Sequence, residues 1–150
     1  DFVSSEEVFL TELIQDQWRA SALLHADERL LDLTSNGCID FVGNKLALEV
    51  IVHDLLTNAR KYANNSSIKV KLVGSDKTNG LCVIIENETD ELPQSNIDEL
   101  TDKYFRGPNS KGIRGTGLGL WIVKNLCGAN KYALSLECIE GVFSAIVRLK

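Results

Sequence analysis

Two stretches of the sequence carry residues whose types and spacing suit phosphate chemistry. In the first, Asp54, Asn58 and Lys61 recur at i, i+4 and i+7 and share one face of a predicted helix. A carboxamide oxygen can ligate Mg²⁺, which takes few protein ligands beside waters and phosphates. Lysine supplies a mobile positive charge for a phosphate, and a carboxylate can orient or deprotonate a hydroxyl or a water. The same stripe is also typical of a solvated polar helix face.

The second stretch is a glycine run, Gly115, Gly117 and Gly119, that leads into an apolar segment of helical spacing. Glycine lets a ligand approach the main chain closely. A helix that opens at about Gly117 would direct its free N–H groups at an anion such as a phosphate. Two better-known phosphate loops are excluded, since no Lys precedes a Ser or Thr at the required spacing and residues 105–113 do not read as a strand. A flexible turn before a core helix is the alternative.

Composition indicates one globular domain over residues 1–150, expected to be a fragment of a longer chain. The formal net charge of −5 argues against a nucleic-acid groove.

No Cys-x-x-Cys spacing occurs, and His25 and His53 do not make a metal site. We expect buried free thiols in a reducing cytosol. No apolar run approaches ~18 residues, so we expect a cytoplasmic domain without membrane contact. The cysteines are Cys38, Cys82, Cys127 and Cys138.

The order of predicted elements indicates an α+β fold. Apolar periodicity predicts helices over 5–24, 44–63, 95–103 and 117–128, and strands over 29–33, 37–42, 68–73, 81–85, 132–137 and 142–149. The polar loop 104–116 contains three cations and is typical of a lid or binding loop. This mixture predicts a two-layer sandwich in which helices pack on one face of a mixed sheet.

Four motifs, in this order along the chain, resemble those of sensor histidine kinases. Residues 54–62 resemble their asparagine box, 87–92 their first glycine box, 102–107 their phenylalanine box and 115–120 their second glycine box. The resemblance covers nearly all of the chain and implies the Bergerat ATP-binding fold that gyrase-type and MutL-type ATPases share. It also implies ATP as substrate, Mg²⁺ as cofactor and transfer of the γ-phosphoryl group to a histidine in two-component signal transduction.

The resemblance further implies a role for individual residues. Asn58 matches the Mg²⁺ ligand, and Asp54, Asn58 and Lys61 form the catalytic set. Lys61 and Tyr62 match residues that touch phosphate and nucleotide, and Asn87 stands where the family usually has the aspartate that accepts the adenine amino group. The other implied nucleotide-binding residues are Leu92, Tyr104, Arg106, Gly115, Thr116, Gly117, Leu118 and Gly119.

The sequence departs from the family pattern in several places. Both glycines of the first glycine box are absent, and Asn87 lacks the charge that strengthens a hydrogen bond. Thr101 and Tyr104 replace two typical phenylalanines. Asp54 stands where kinases commonly have Asn and the wider superfamily has a catalytic Glu.

The acceptor histidine is expected on another domain, since neither histidine of this chain lies in the usual phosphoacceptor pattern. The implied partners are therefore a separate dimerisation and phosphoacceptor domain and the receiver domain of a response regulator. Two other functions stay open. One is a degenerate nucleotide-binding or docking module without turnover, and the other is a self-contained ATPase of the gyrase or MutL kind.

Overall fold

A computed structural model describes residues 5–25, 30–35, 40–64, 67–74, 80–90 and 119–149. Within these ranges the chain forms seven strands and three helices. The predicted helix at 95–103 and the predicted lid at 104–116 lie outside the described residues. In chain order the elements are β1 (Glu6–Phe9), α1 (Leu10–His25), β2 (Leu31–Ser35), β3 (Asp40–Gly43), α2 (Lys45–Tyr62), β4 (Ile68–Val73), β5 (Cys82–Glu88), α3 (Gly119–Ala129), β6 (Ala133–Ile139) and β7 (Val142–Arg148).

The main sheet has five strands in the order β2-β4-β5-β7-β6. β2 and β4 are parallel, and every other neighbouring pair is antiparallel. β4 shows why the sheet has two different faces, because Ile68, Val70 and Leu72 are buried while Lys69 and Lys71 are exposed. The helices cover the apolar face, which confirms the predicted α+β class with a mixed sheet.

The N-terminal part of the chain differs from the prediction. Residues 6–9, predicted as the start of a helix, form β1, which pairs with β3 in a separate antiparallel ribbon. The strands predicted at 29–33 and 37–42 do not pair with each other, because β2 joins β4 and β3 joins β1. Val8 and Phe41 stabilise the ribbon, because they face each other across the two strands and both are buried. Each strand buries only one apolar residue, and a single residue has no periodicity that could distinguish a strand from a helix.

The hydrophobic core lies between the sheet and the helices. α2 packs against both α1 and α3, and it supplies the largest buried stripe. Asn44 caps its start, where the side chain accepts a hydrogen bond from the backbone N–H of Ala47 at 3.1 Å. The buried residues of α2 are Ala47, Leu48, Ile51, Val52, Leu55, Leu56, Ala59 and Arg60. Helix periodicity therefore predicted this element within one residue at each end.

The predicted free thiols are confirmed for the three cysteines in the described ranges: Cys82 and Cys127 are buried and Cys138 is half-buried. Cys38 lies outside these ranges. None of the described helices is long and apolar enough to cross a membrane.

α3 packs against α2. Tyr132 follows α3 closely, and its ring centroid lies 6.1 Å from that of Phe41, just before α2. A Cβ placed on Gly43 would lie 2.9 Å from the Tyr132 hydroxyl. The C-terminal end of α3 is therefore next to the N-terminal end of α2.

A buried arginine joins α1 to α2. The Arg60 side chain is 4% exposed. Its Nε donates a hydrogen bond to Ser21 Oγ at 2.9 Å, and its Nη2 donates to the Trp18 carbonyl at 2.9 Å. The guanidinium carbon lies 3.3 Å from the centroid of the Trp18 ring, within the range of a cation–π contact. Ser21 Oγ itself donates to the Trp18 carbonyl, so one positive charge fixes how the two helices pack.

We expect Arg60→Ala to lower the free energy of unfolding by about 2–3 kcal/mol, because charge-assisted hydrogen bonds and a cation–π contact are lost together. Urea denaturation followed by far-UV circular dichroism measures this. A double-mutant cycle with Ser21→Ala should show a coupling on the order of 1 kcal/mol.

Arg19→Ala is the matched control, because Arg19 forms an ion pair with Asp16 on the exposed side of α1. It should change stability by less than about 0.5 kcal/mol. Equal effects of the two arginine substitutions would contradict the role given to Arg60.

Candidate functional site

The predicted polar stripe lies along α2, at the border between the core and solvent. Asp54, Asn58 and Lys61 are each half-buried. The core face of the same helix, including Leu55 and Ala59, is almost fully buried. The amide, the carboxylate and the amine are thus held on one rigid element, while each remains accessible to a ligand.

In the described part of the chain α3 begins at Gly119, and the helix packs against α2. The N-terminal end of a helix carries the positive end of its dipole.

The end of β5 meets the end of α2 through two hydrogen bonds to backbone carbonyls. The Thr89 hydroxyl donates to the Tyr62 carbonyl at 2.8 Å, and the Asn64 N–H donates to the Glu88 carbonyl at 2.9 Å. The Thr89 N–H donates to the Gly141 carbonyl at 2.9 Å, which brings in the β6–β7 turn. Thr89 stands at the first missing glycine of the first glycine box, so the replacement has a structural role.

Asn87 lies at this junction, two residues before Thr89. Its side chain is almost fully buried, on the face of β5 that carries Ile85. Phe143 lies directly opposite it on β7. Its Nδ2 donates to the Glu88 carbonyl at 3.3 Å, which is long for such a bond. The amide is thus anchored weakly at a place where the sheet, α2 and the β6–β7 turn meet.

Burial and the neighbouring charges act in opposite directions on the pKa of the Asp54 carboxyl. Burial raises the pKa of Asp54 above its ordinary value, while the neighbouring charges of His53 and Lys61 pull the pKa back down. Glu88 and Asp90, acidic residues of the eroded glycine box, are exposed. Solvent therefore screens their charges from an anionic ligand.

The structure describes some of the predicted site residues and not others. Asp54, Asn58, Lys61 and Tyr62 lie on α2, Asn87 lies on β5 and Gly119 begins α3, and hydrogen bonds join the ends of α2 and β5. Outside the described residues lie Leu92, Tyr104, Arg106, Gly115, Thr116, Gly117 and Leu118.

The sequence analysis assigned no role to two residues near the stripe. Thr57 follows Asp54 by one turn, and its hydroxyl is buried without a hydrogen-bond partner among the described residues. Buried hydroxyls are normally paired, so Thr57 is a candidate donor to a ligand or a water. Arg60 fixes α2 against α1. Spacing from Asp54 could have indicated Thr57, but no local signal connects Arg60 to Trp18.

The donor set suits magnesium bound together with a nucleotide. The described residues contain no group of three or more His, Cys, Asp or Glu side chains that could hold a metal by themselves. One half-buried amide oxygen on Asn58, with Asp54 one turn away, fits an ion that takes most of its ligands from water and phosphate. These residues are compatible with Mg²⁺ as a companion of ATP.

Comparison with known proteins gives a consistent result. The profile of the family described as "Histidine kinase-, DNA gyrase B-, and HSP90-like ATPase" matches residues 43–142, two thirds of the chain. Sensor histidine kinase Hik2 of Synechocystis is 34% identical over 110 residues, 67% of this chain and 25% of that protein. Sensor protein QseC of Salmonella typhi is 28% identical over 148 residues, 95% of this chain and 31% of that protein. The chain therefore spans between a quarter and a third of the length of these relatives.

Among solved structures, a mycobacterial sensor histidine kinase, MprB, is similar with a TM-score of 0.79 at 21% identity. The match covers 96% of this chain and 95% of that one. At this identity the likeness concerns the fold. Together with the family match over two thirds of the chain, it identifies this protein as a histidine kinase-type ATP-binding domain of the histidine kinase, DNA gyrase B and HSP90-like ATPase family.

Proposed function

We propose that this domain binds Mg-ATP and transfers the γ-phosphoryl group to a histidine on a separate dimerisation and phosphoacceptor domain. The observation that carries the proposal is the half-buried stripe of Asp54, Asn58 and Lys61 on α2, whose end is joined by hydrogen bonds to the strand that carries Asn87. The relatives support it, because those named above are sensor histidine kinases or sensor proteins. A receiver domain of a response regulator would accept the phosphoryl group next, as in two-component signalling.

Each part of the stripe has a task in that reaction. Phosphoryl transfer depends mainly on positioning and on stabilising negative charge. Asn58 would hold Mg²⁺, which neutralises phosphate charge when it is bound. Lys61, on the same face of α2, adds positive charge, as do the N–H groups at the start of α3, and Tyr62 contacts the nucleotide. Asp54 is placed to orient the attacking imidazole or to accept its proton.

The acidic balance of the chain favours protein partners over nucleic acid, because a phosphate backbone needs clustered cations. We propose that the domain works in the cytoplasm and makes no membrane contact of its own. Catalysis then requires the acceptor domain to approach the exposed side of the Asp54 stripe.

The half-buried Asp54 carboxylate favours a second candidate function, a self-contained ATPase of the gyrase or MutL kind. A carboxyl with a raised pKa is a better proton acceptor. Steady phosphate release by the isolated domain that is lost in Asp54→Ala would support hydrolysis. Phosphate release no faster than uncatalysed ATP hydrolysis, together with phosphoryl transfer to an added phosphoacceptor domain, would support the kinase.

We expect Asn58→Ala to weaken Mg-ATP binding by at least about thirtyfold, the scale of losing one contact to a charged group. Isothermal titration calorimetry with and without EDTA measures this. In EDTA the parent and the variant should bind ATP alike, because only the metal contact has been removed.

Asn125→Ala is the control, since Asn125 is an exposed amide on α3 whose Nδ2 donates to the Trp121 carbonyl. It should leave Mg-ATP affinity unchanged. Equal Mg-ATP binding by the parent and by Asn58→Ala would exclude Asn58 as the metal ligand. A parent that binds neither Mg-ATP nor Mg-ADP would support the degenerate module instead.

We expect Asp54→Asn to stabilise the domain at pH 7–8, by less than about 1 kcal/mol because the carboxyl is partly solvated. The folded-state pKa is raised above the unfolded one, so ionising Asp54 costs stability. That cost develops as pH rises from the unfolded pKa through the folded pKa and is absent below the unfolded pKa.

Urea denaturation at a series of pH values tests this, with Glu49→Gln on the same helix as the control. The stabilisation by Asp54→Asn should shrink as pH falls from 7 toward 4. A gain that stays constant or grows over that range would contradict the burial of Asp54.

A further inference from the structure

β6 forms one outer edge of the main sheet, and in the described part of the chain it pairs only with β7. All of its residues are in register with β7, so no bulge interrupts the strand. Proteins usually protect such an edge with lysine, proline or a bulge. β6 contains no lysine and no proline, and Glu137 is its single charged residue. An edge of this kind is a template for one more strand.

The pairing identifies the backbone groups that face this edge. Successive residues of an antiparallel strand direct their N–H and C=O groups alternately to one neighbour and to the other. Just beyond β7, the Leu149 N–H donates to the Leu81 carbonyl on the β5 side. The even-numbered residues of β7 therefore bond toward β6, where their partners are the odd-numbered residues. The even-numbered residues of β6 direct their N–H and C=O groups out from the sheet. These residues are Leu134, Leu136 and Cys138.

The side chains of the same three residues lie on the core face of the sheet. They stand opposite the buried residues Val147, Ala145 and Phe143 of β7. Each of the three is half-buried and packs against the hydrophobic core. A strand added at this edge would cover their outer side, and removing apolar surface from water favours association.

We propose that two copies of this chain associate by antiparallel pairing of their β6 strands, which joins two five-stranded sheets into one. The two-fold axis passes through Leu136, so this residue faces its own copy. Cys138 then faces Leu134 of the second copy. The N–H group of each of these three residues donates to a carbonyl of the other chain, and both open edges are paired.

The order of residues in β6 favours a second copy over an unrelated strand. When the strand is paired with itself in this register, apolar side chains face apolar side chains on the core face. On the other face Ser135 lies opposite Glu137 of the second copy. The same kind of pair already exists within the sheet, where Ser144 Oγ donates to Glu86 on the directly opposite position at 3.2 Å.

The only charged residue of the strand does not oppose this register. Like charges directly opposite each other destabilise a strand pair, but the two Glu137 carboxylates are offset along the strands. A single strand pair is smaller than a standard protein–protein interface, so the association is weak and reversible. None of the residues of the Asp54 stripe takes part in it, so the proposal is independent of nucleotide binding.

Sedimentation equilibrium of this chain from about 10 µM to about 1 mM measures the association. We expect a reversible monomer–dimer equilibrium. Ser135→Glu places a carboxylate opposite Glu137 twice by symmetry and should weaken the dimer about fivefold, whereas Ser135→Lys should strengthen it by a similar factor. Ser135 is exposed, so neither substitution disturbs the core.

Thr34→Glu is the matched control, because it adds the same charge at an exposed residue of β2, the opposite edge of the sheet. It should leave the dissociation constant as in the parent. A parent that stays monomeric up to about 1 mM overturns the proposal. Equal dissociation constants for Ser135→Glu, Ser135→Lys and Thr34→Glu would also overturn it, because the dimer would then use another surface.

Amide hydrogen exchange gives a second, independent readout. As the protein concentration rises, exchange should slow at Leu134, Leu136 and Cys138, whose N–H groups face the open edge. The odd-numbered residues of β6 are already bonded to β7 and should change less. Exchange at the three even-numbered residues that does not depend on concentration, in a sample that sediments as a dimer, would contradict the pairing of β6.

Discussion

The last two turns of α2 are fixed from two sides, and the candidate site depends on this double attachment. On one side the guanidinium of Arg60 lies on the Trp18 ring and donates to Ser21. On the other side the Thr89 hydroxyl donates to the Tyr62 carbonyl at the helix end. A helix end held only by apolar contacts could slide or rotate slightly. Held by directional bonds to α1 and to β5, it keeps the Asn58 stripe in one orientation.

This arrangement puts polar chemistry at an edge of the hydrophobic core. Asp54 and Asn58 are half-buried, one row away from residues such as Leu55 that are almost fully excluded from water. Partial burial strengthens electrostatic interactions with a ligand and also raises the pKa of Asp54. Ionised Asp54 therefore carries a small cost in stability at this border.

Local patterns predicted those parts of the fold whose cause is local. α2 has an unbroken apolar stripe and an Asn44 cap, and β4 alternates strictly between buried apolar and exposed charged residues. The sequence therefore predicted the bounds of both elements closely. The β6–β7 hairpin turns at Glu140 and Gly141, both in the left-handed backbone region with φ of 51° and 79°. β1 was missed because its partner strand lies more than thirty residues away, and the parallel pairing of β2 with β4 has no local sequence signal.

The same distinction holds for the site. The stripe of Asp54, Asn58 and Lys61 is a matter of helix spacing, so the sequence sufficed to place it on one face. The Arg60 contacts join residues 39 and 42 positions apart, and only the folded chain shows them. The unpaired hydroxyl of Thr57 is likewise a property of packing, since spacing cannot show whether a side chain is buried.

In the first glycine box, the replacement of glycine by Thr89 adds fixed contacts where glycine would leave the backbone more flexible. The Thr89 hydroxyl donates to the Tyr62 carbonyl, and the Thr89 N–H donates to the Gly141 carbonyl. The strand end and the helix end then move together. Because Thr89 also reaches Gly141, the same residue ties the β6–β7 turn to this junction, so three elements hold the backbone on either side of Asn87.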